Sequence, residues 1–390
     1  MNWNEGYPRL AEGIYLKVLE KPCAYNKLTD DLYELSMEAL DFLRRCDGTR
    51  RAVELAPEDD FLSFCLEEGV LEIPPEPRGW EVSVQRNEEP SLRYLMMEVT
   101  ERCNLRCRHC YLGDWGSGDM AWEKALRAVE DFDDMGGLRL LVTGGEPLLY
   151  PHFRELNRGL EDRSYRAVLI TNGTLMDDLD LESLNFQEIQ LSIDGMEEGH
   201  DYLRGRGTFR RVMMAAEAVM EAGMDLSVAT VMYSKNLDQM EEMAEMLRGM
   251  GVSSWALEYP VPAGRMEENS ELMPRLEDVL PFFELEWGLG PHEGAEGYAC
   301  GAHLANLEPG GSLVKCGYYR EISGGDIDKG LRQAWTDLPR MRPEGTCAAC
   351  DMLEECGGGC RYRAELMTGK GGPDPLMCAR FDVPLNPPPD

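Results

Sequence analysis

Cys103, Cys107 and Cys110 follow the apolar stretch Leu95 to Val99 in the run Cys-Asn-Leu-Arg-Cys-Arg-His-Cys. Thiolates at these spacings wrap one corner of a cubane [4Fe-4S] cluster and bind three of its irons. The fourth iron then has no protein ligand and is a reaction site. A zinc knuckle is the alternative for such a group. Zinc, however, takes four ligands in paired knuckles, and His109 lies inside the tight loop, not at the usual distance beyond it.

The remaining cysteines point the same way. Of thirteen in the chain, ten fall into ligand-like spacings, while Cys23, Cys46 and Cys65 stand alone and read as core thiols. The distal set runs Cys300, Gly311, Cys316, then Cys347-x2-Cys350-x5-Cys356-x3-Cys360 and Cys378. A zinc ribbon is the alternative for its middle four. Glycines 357 to 359 let the backbone turn within hydrogen-bond reach of sulfur.

With Tyr111 after the third cysteine, the triplet resembles the signature of the radical S-adenosylmethionine (SAM) superfamily. That resemblance implies an open iron that chelates SAM and cleaves it reductively to a 5′-deoxyadenosyl radical. It also implies SAM contacts from Gly144, Gly145, Glu146 and Pro147, from Asn172, from Ser192 and Asp194, from Arg204 and from Ala263, all at or just after strand ends. The distal cysteines resemble the SPASM extension, which carries two auxiliary clusters. Carried over by position, Cys347, Cys350, Cys356 and Cys378 hold one cluster, and Cys300, Cys316 and Cys360 the other, for three [4Fe-4S] clusters in all. The second auxiliary set lacks a fourth ligand: either His303 or another residue completes it, or an iron is open to a substrate thiolate. Sulfatase-maturing relatives place an aspartate base directly after the cysteine matching Cys316, but here Gly317, Tyr318 and Tyr319 follow.

These residues need a scaffold. Candidate strands at 94–99, 139–143, 167–171, 188–193, 226–231 and 254–259 alternate with helical patterns such as Trp122, Ala125, Leu126 and Val129. Six β-α units predict an α/β fold, a partial (β/α)6 TIM-like barrel over 90–285 with ligands at the strand C-terminal ends. Residues 286–390 form the cysteine-rich extension. Residues 1–80 read as a winged-helix module: a hairpin from Ile14 to Val18 and Leu32 to Leu35, a helix capped by Ser36 and closed by Gly48, a second from Pro57 to Gly69, and a strand at Val70 to Ile73. Residues 74–80 read as a linker. The module carries 9 Lys/Arg against 17 Asp/Glu, the wrong sign for a phosphate backbone. It resembles the PqqD-like elements that bind leader peptides by strand addition, through Leu28-Thr-Asp-Asp-Leu-Tyr-Glu-Leu35 and Cys46-Asp-Gly-Thr49.

The net charge of −33 likewise opposes nucleic-acid binding. No apolar run approaches the ~20 residues of a membrane span, and the N-terminus lacks a signal-peptide core, so a cytoplasmic location is expected. The expected function is radical modification of a ribosomal precursor peptide, bound through its leader, with a ferredoxin- or flavodoxin-type low-potential electron donor. The competing readings are a sulfatase-maturase-like oxidase, an enzyme of tetrapyrrole or quinone precursors, and a non-catalytic electron carrier or zinc-stabilised adaptor.

Overall fold

The structure is a computed structural model that describes residues 6–55, 59–113, 116–177, 179–288 and 299–385. Six parallel strands, β7 (Tyr94–Glu98), β8 (Arg139–Thr143), β9 (Arg166–Thr171), β10 (Glu188–Ser192), β11 (Asp225–Val231) and β12 (Ser254–Glu258), lie side by side in chain order. This is the predicted partial barrel, with each boundary within a residue or so. Alternation explains it: Leu95, Met97, Leu140, Val142, Ile189, Leu191, Trp255 and Leu257 all point into one apolar core. Helices Trp122–Asp134, Thr208–Glu221 and Met240–Met250 supply the other half of that core. The opposite faces of the strands look into the barrel lumen.

The sheet does not stop at β7. Strand β13 (Leu304–Leu307) adds to it in parallel, and β14 (Ser312–Val314) and β15 (Ser323–Asp326) continue it antiparallel. Leu307, Leu313, Trp335 and Leu376 consequently share the barrel's core, and the C-terminal cysteines are carried on a direct continuation of the barrel wall.

The N-terminal region forms two small sheets, β1 (Arg9–Leu10) with β5 (Leu71–Glu72), and β2 (Ile14–Val18), β3 (Pro22–Asn26), β4 (Leu32–Glu34) and β6 (Val84–Arg86) in the order β4-β3-β2-β6. Ser36 caps helix Met37–Arg45 as expected, accepting from the Ala39 N–H at 3.1 Å. Two details differ. The strand paired with Ile14–Val18 is Pro22–Asn26, which sequence reading missed because Cys23, Ala24 and Tyr25 are all buried and show no alternation. Helix Met37–Arg45 ends on Cys46; Gly48 instead makes room for the Arg78 carbonyl, which a Cβ there would overlap. Residues 78–80 are therefore pinned to this turn by Arg78 N–H to Gly48 O (3.0 Å) and Trp80 N–H to Asp47 O (2.8 Å). Pro57 lies outside the described residues; the helix Asp59–Glu67 ends before Gly69, whose φ is +65°.

Strand β3 is buried on both faces because the small sheet plugs the strand-start end of the barrel. Lys17, with no exposed surface, donates to the Gly137 carbonyl (2.8 Å) and Ser164 Oγ (3.1 Å). The Tyr25 hydroxyl donates to Asp30 (2.6 Å) with the Leu138 carbonyl 2.9 Å away, Asp30 pairs with Arg139, and Arg166 donates to the Leu28 carbonyl (2.7 Å). No helix among the described residues is long and apolar enough to cross a membrane.

Burial lowers the Lys17 amine to about 7 against a small opposing pull from Asp133. Between that value and the ordinary lysine range of about 10.4 the unfolded chain binds more protons than the folded one, so stability rises with pH across the window. The Lys17→Met variant is expected to lose this rise; urea midpoints of both proteins at pH 7 and 9 check it, and equal slopes would contradict it.

Candidate active site

The cysteine loop leaves β7 and is seated by backbone contacts that only glycine permits. A Cβ on Gly144 (φ +149°) would stand 2.5 Å from the Thr100 carbonyl, and one on Gly145 would overlap the Arg102 carbonyl. Without them, Gly145 N–H donates to Thr100 O and Glu146 N–H to Arg102 O, both at 2.8 Å. On the far side, a Cβ on Gly264 (φ +54°) would lie 2.7 Å from the Cys110 carbonyl, and Arg265 ties the loop with N–H to Cys110 O and Nε to Cys107 O, each 2.9 Å. The Gly144–Pro147 and Ala263–Gly264 segments thus hold the cysteine loop from opposite sides, and Ala263 lies partly exposed beside it.

Glu146 is fully buried and bonds to protein: its carboxylate accepts from Thr171 Oγ1 (2.7 Å), Asn172 N–H (2.9 Å) and Leu148 N–H (3.2 Å), while burial raises its pKa. Pro147 opens the short turn behind it. Asn172 bridges to the loop through Nδ2 to Asn104 Oδ1 (3.0 Å), and Asn104 in turn donates to Thr174 (2.8 Å). The ends of β8 and β9 and the loop thus form one hydrogen-bonded platform. Ser192, half-buried, faces the lumen at the end of β10.

Next along the rim, Asp194 is completely buried and pairs with Arg204 Nε at 2.5 Å, accepting also from Val231 N–H at 2.8 Å. Burial opposes its ionisation, but Arg204, His109 and His200 outweigh burial and hold its pKa below the usual carboxylate range. Arg204, held by Asp194, interacts electrostatically with Cys107 and Cys103, so its positive charge acts on the thiol set. His109, to which the sequence assigned nothing, belongs here: its Nε2 is 3.5 Å from Arg204 and 3.9 Å from Asp194. Burial raises the Cys103 thiol to about 11 and also raises Cys107; a bound metal cation reverses that balance by stabilising the thiolate.

The distal cysteines gather as two sets. Cys347, Cys350, Cys356 and Cys378 line one cavity with Leu353, Met377 and Phe381. Gly358 N–H points at Cys356 Sγ (3.2 Å) and Arg361 Nη1 at Cys347 Sγ (3.8 Å), with Gly357, Gly358 and Gly359 all at positive φ. Four thiols around a shared cavity with donors at the sulfurs fit a fully ligated cluster. Cys300 neighbours both Cys316 and Cys360, and Tyr319 and Arg363 N–H groups approach the latter two sulfurs at 3.4 and 3.5 Å. His303 is turned to other work: its Nδ1 lies 2.9 Å from the Ser91 carbonyl and 3.7 Å from Glu20.

Three tyrosines join these regions. Tyr111 and Tyr318 have ring centroids 4.7 Å apart, and Tyr318 and Tyr362 stack at 5.3 Å. Each follows a cysteine, Cys110, Cys316 or Cys360, by one or two residues. The contact also explains Gly317: a Cβ there would stand 2.8 Å from the Tyr111 hydroxyl, so the space of an acid at that position is filled by a phenol.

Residues 97–247 match the model of the radical SAM superfamily, so this stretch is a radical SAM domain, a class that implies SAM and a [4Fe-4S] cluster. Among named relatives, the chain is 28% identical over 326 residues to the AdoMet-dependent heme synthase of Methanosarcina barkeri, covering 71% of this chain and 93% of that protein. It is 25% identical over 332 residues to the antilisterial bacteriocin subtilosin biosynthesis protein AlbA of Bacillus subtilis, covering 75% and 74%. In fold it is similar to Streptococcus suis SuiB, solved with the precursor peptide SuiA bound, at a TM-score of 0.70 and 17% identity, over 95% of this chain and 99% of that one.

The glycine platform generates a test. Gly145→Ala forces backbone apart and is expected to cost about 1–3 kcal/mol and to lower reconstituted iron by about four atoms per chain, one cluster's worth. Gly249→Ala, where nothing lies within 4 Å, is the control and should change neither. Iron assay and thermal unfolding measure both; full iron in Gly145→Ala would refute the seating role.

Proposed function

We propose that the chain binds SAM at the Cys103 cluster and oxidatively modifies a ribosomal precursor peptide, joining it by a thioether or carbon–carbon bond, with the N-terminal module holding the peptide's leader. The observation that carries this reading is the edge of β4, the outermost strand of the β4-β3-β2-β6 sheet, which pairs on one side only among the described residues. An unpaired strand edge is a template for an incoming extended segment. Exposed apolar side chains lie nearby in sequence and space, among them Leu28, Met37 and Phe64, the last in edge contact with Tyr33 of β4. Enzymes of small molecules have little use for such an edge. Likeness to SuiB over nearly the whole chain supports the same reading.

The residues divide the work as follows. Cys103, Cys107 and Cys110 would hold the SAM-binding cluster, Cys347, Cys350, Cys356 and Cys378 an auxiliary cluster, and Cys300, Cys316 and Cys360 a further one with an incomplete ligand set. Bound together, cluster and SAM supply one-electron cleavage of a sulfonium and a carbon radical able to take hydrogen from an unactivated carbon. The loop is held rigid by Gly144, Gly145 and Arg265, which keeps reacting groups in register. Arg204, fixed by Asp194, offers a preorganised cation for a carboxylate. Tyr111 and Tyr318 pack ring to ring between the barrel and the extension. Residues 1–80 would recognise the leader, 90–285 carry SAM and 286–390 the auxiliary clusters. A ferredoxin- or flavodoxin-type donor and a reducing cytoplasm suit clusters of this kind.

A second reading, radical chemistry on a small-molecule precursor such as a tetrapyrrole, is favoured by the 28% identity to a protein named an AdoMet-dependent heme synthase. One measurement tests the radical chemistry that both readings share, and a second separates them. Anaerobic reconstitution with dithionite and SAM is expected to give 5′-deoxyadenosine, lost in the Cys103→Ala, Cys107→Ala, Cys110→Ala triple variant; a fully iron-loaded enzyme that yields none would refute the radical reading. The β4 edge and the cysteine loop lie at opposite ends of five-residue strands, a span of about 17 Å. A precursor peptide from the same gene neighbourhood should therefore be modified only when at least about six residues separate leader and reacting residue; modification at shorter spacing, or of a tetrapyrrole instead, would overturn the peptide reading.

A further inference from the structure

Strand β12 places one acid where no partner meets it. Trp255, Leu257 and Tyr259 pack into the outer core, so Ala256 and Glu258 face the lumen, and both are exposed to it. Glu258 is held at the strand end by its backbone, whose carbonyl accepts from Met232 N–H at 2.9 Å. Its carboxylate makes no hydrogen bond or ion pair among the described residues. The charged and titratable groups facing it are Asp194, Arg204, Arg363, Glu286, Tyr111 and Tyr318. Every cation in that set is already matched: Arg204 by Asp194, and Arg363 by Asp374 through two contacts of 2.9 and 2.5 Å. Glu286 accepts from Leu257 N–H at 2.8 Å and lies 3.7 Å from Arg380. Glu258 is thus a carboxylate with no protein partner among the described residues, open to the barrel interior and free to accept from an incoming donor. The lumen wall holds a second unused polar group. Asn306 of β13, fully buried on the lumen face beside Met96, leans toward Glu98 without either amide atom reaching hydrogen-bond geometry.

We infer that Glu258 receives a cationic hydrogen-bond donor of the substrate, a lysyl or arginyl side chain or an amino terminus, and so selects donor-bearing peptides over carboxylate-bearing molecules. This rests on the peptide reading above and gives it a chemical preference. Glu258 ends β12, and the segment that follows it leads to Gly264, which packs against the Cys110 and Tyr111 carbonyls, so a group bound at Glu258 lies on the same strand-end rim as the cysteine loop. A polycarboxylate would instead meet an unpaired negative charge. Desolvation by the surrounding lumen walls, then Asp194, raises the Glu258 pKa, so binding of a cation weakens as pH falls through that raised range.

The test uses reconstituted holoenzyme with SAM present and two probes, N-acetyl-lysine methylamide and N-acetyl-glutamate methylamide, titrated calorimetrically. The lysyl probe is expected to bind about tenfold tighter or more, the size of one charge-assisted hydrogen bond. Glu258→Gln should erase that preference while leaving SAM affinity and thermal unfolding unchanged. Equal affinities in the wild type, a comparison that needs no variant, would overturn the inference. So would a loss of SAM affinity in Glu258→Gln, since the carboxylate would then serve the sulfonium of SAM. Formation of 5′-deoxyadenosine by the wild type, scored in parallel, reports on the radical reading separately: its presence without a lysyl preference sinks only the role of Glu258.

Discussion

Everything at the chemical end of this protein hangs on the approach of two backbones, Gly144–Gly145 against Thr100–Arg102. Two hydrogen bonds of 2.8 Å join them, and the carbonyls stand where side chains would otherwise be. The contact carries no charge and little apolar area, yet it sets where the three cysteines sit relative to strands β8 to β10. Buried Glu146 extends it, binding the ends of neighbouring strands through Thr171 and Asn172. A carboxylate without exposed surface is tolerable there because three donors satisfy it.

The two ends of the barrel have different tasks. At the strand starts, buried Lys17, Tyr25, Arg139 and Arg166 fasten the small N-terminal sheet, closing that end with polar contacts that fix orientation. At the strand ends the cysteine loop, the Asp194–Arg204 pair and the tyrosine file leave an open, charged interior. The barrel wall continues through β13 to β15 into the cysteine-rich extension, so both regions share one sheet and one core.

Much of this was legible in the chain. Six strands announced themselves by alternation and length, the Ser36 cap by residue type, and the cysteine sets by spacing, because all three are properties of neighbours along the backbone. Strand β3 stayed hidden: Cys23, Ala24 and Tyr25 are buried on both sides, so no period appears. His303 was a natural candidate for a ligand from its position after Cys300, yet its ring is engaged by Ser91, more than two hundred positions away. The absence of an acid at Gly317 was visible, but its cause, the Tyr111 hydroxyl, was not.

Sequence alone determined the type of chemistry and the scaffold, since thiol spacing and hydrophobic period are written in covalent order. Tertiary structure alone decided which polar groups find partners. Glu146, Asp194 and Glu258 are equally acidic on paper; packing gives the first three donors, the second a guanidinium and the third an open lumen. Their differences arise from partners on other elements, such as Thr171, Asn172 and Val231, brought within a few ångströms, and a one-dimensional pattern holds no record of such meetings.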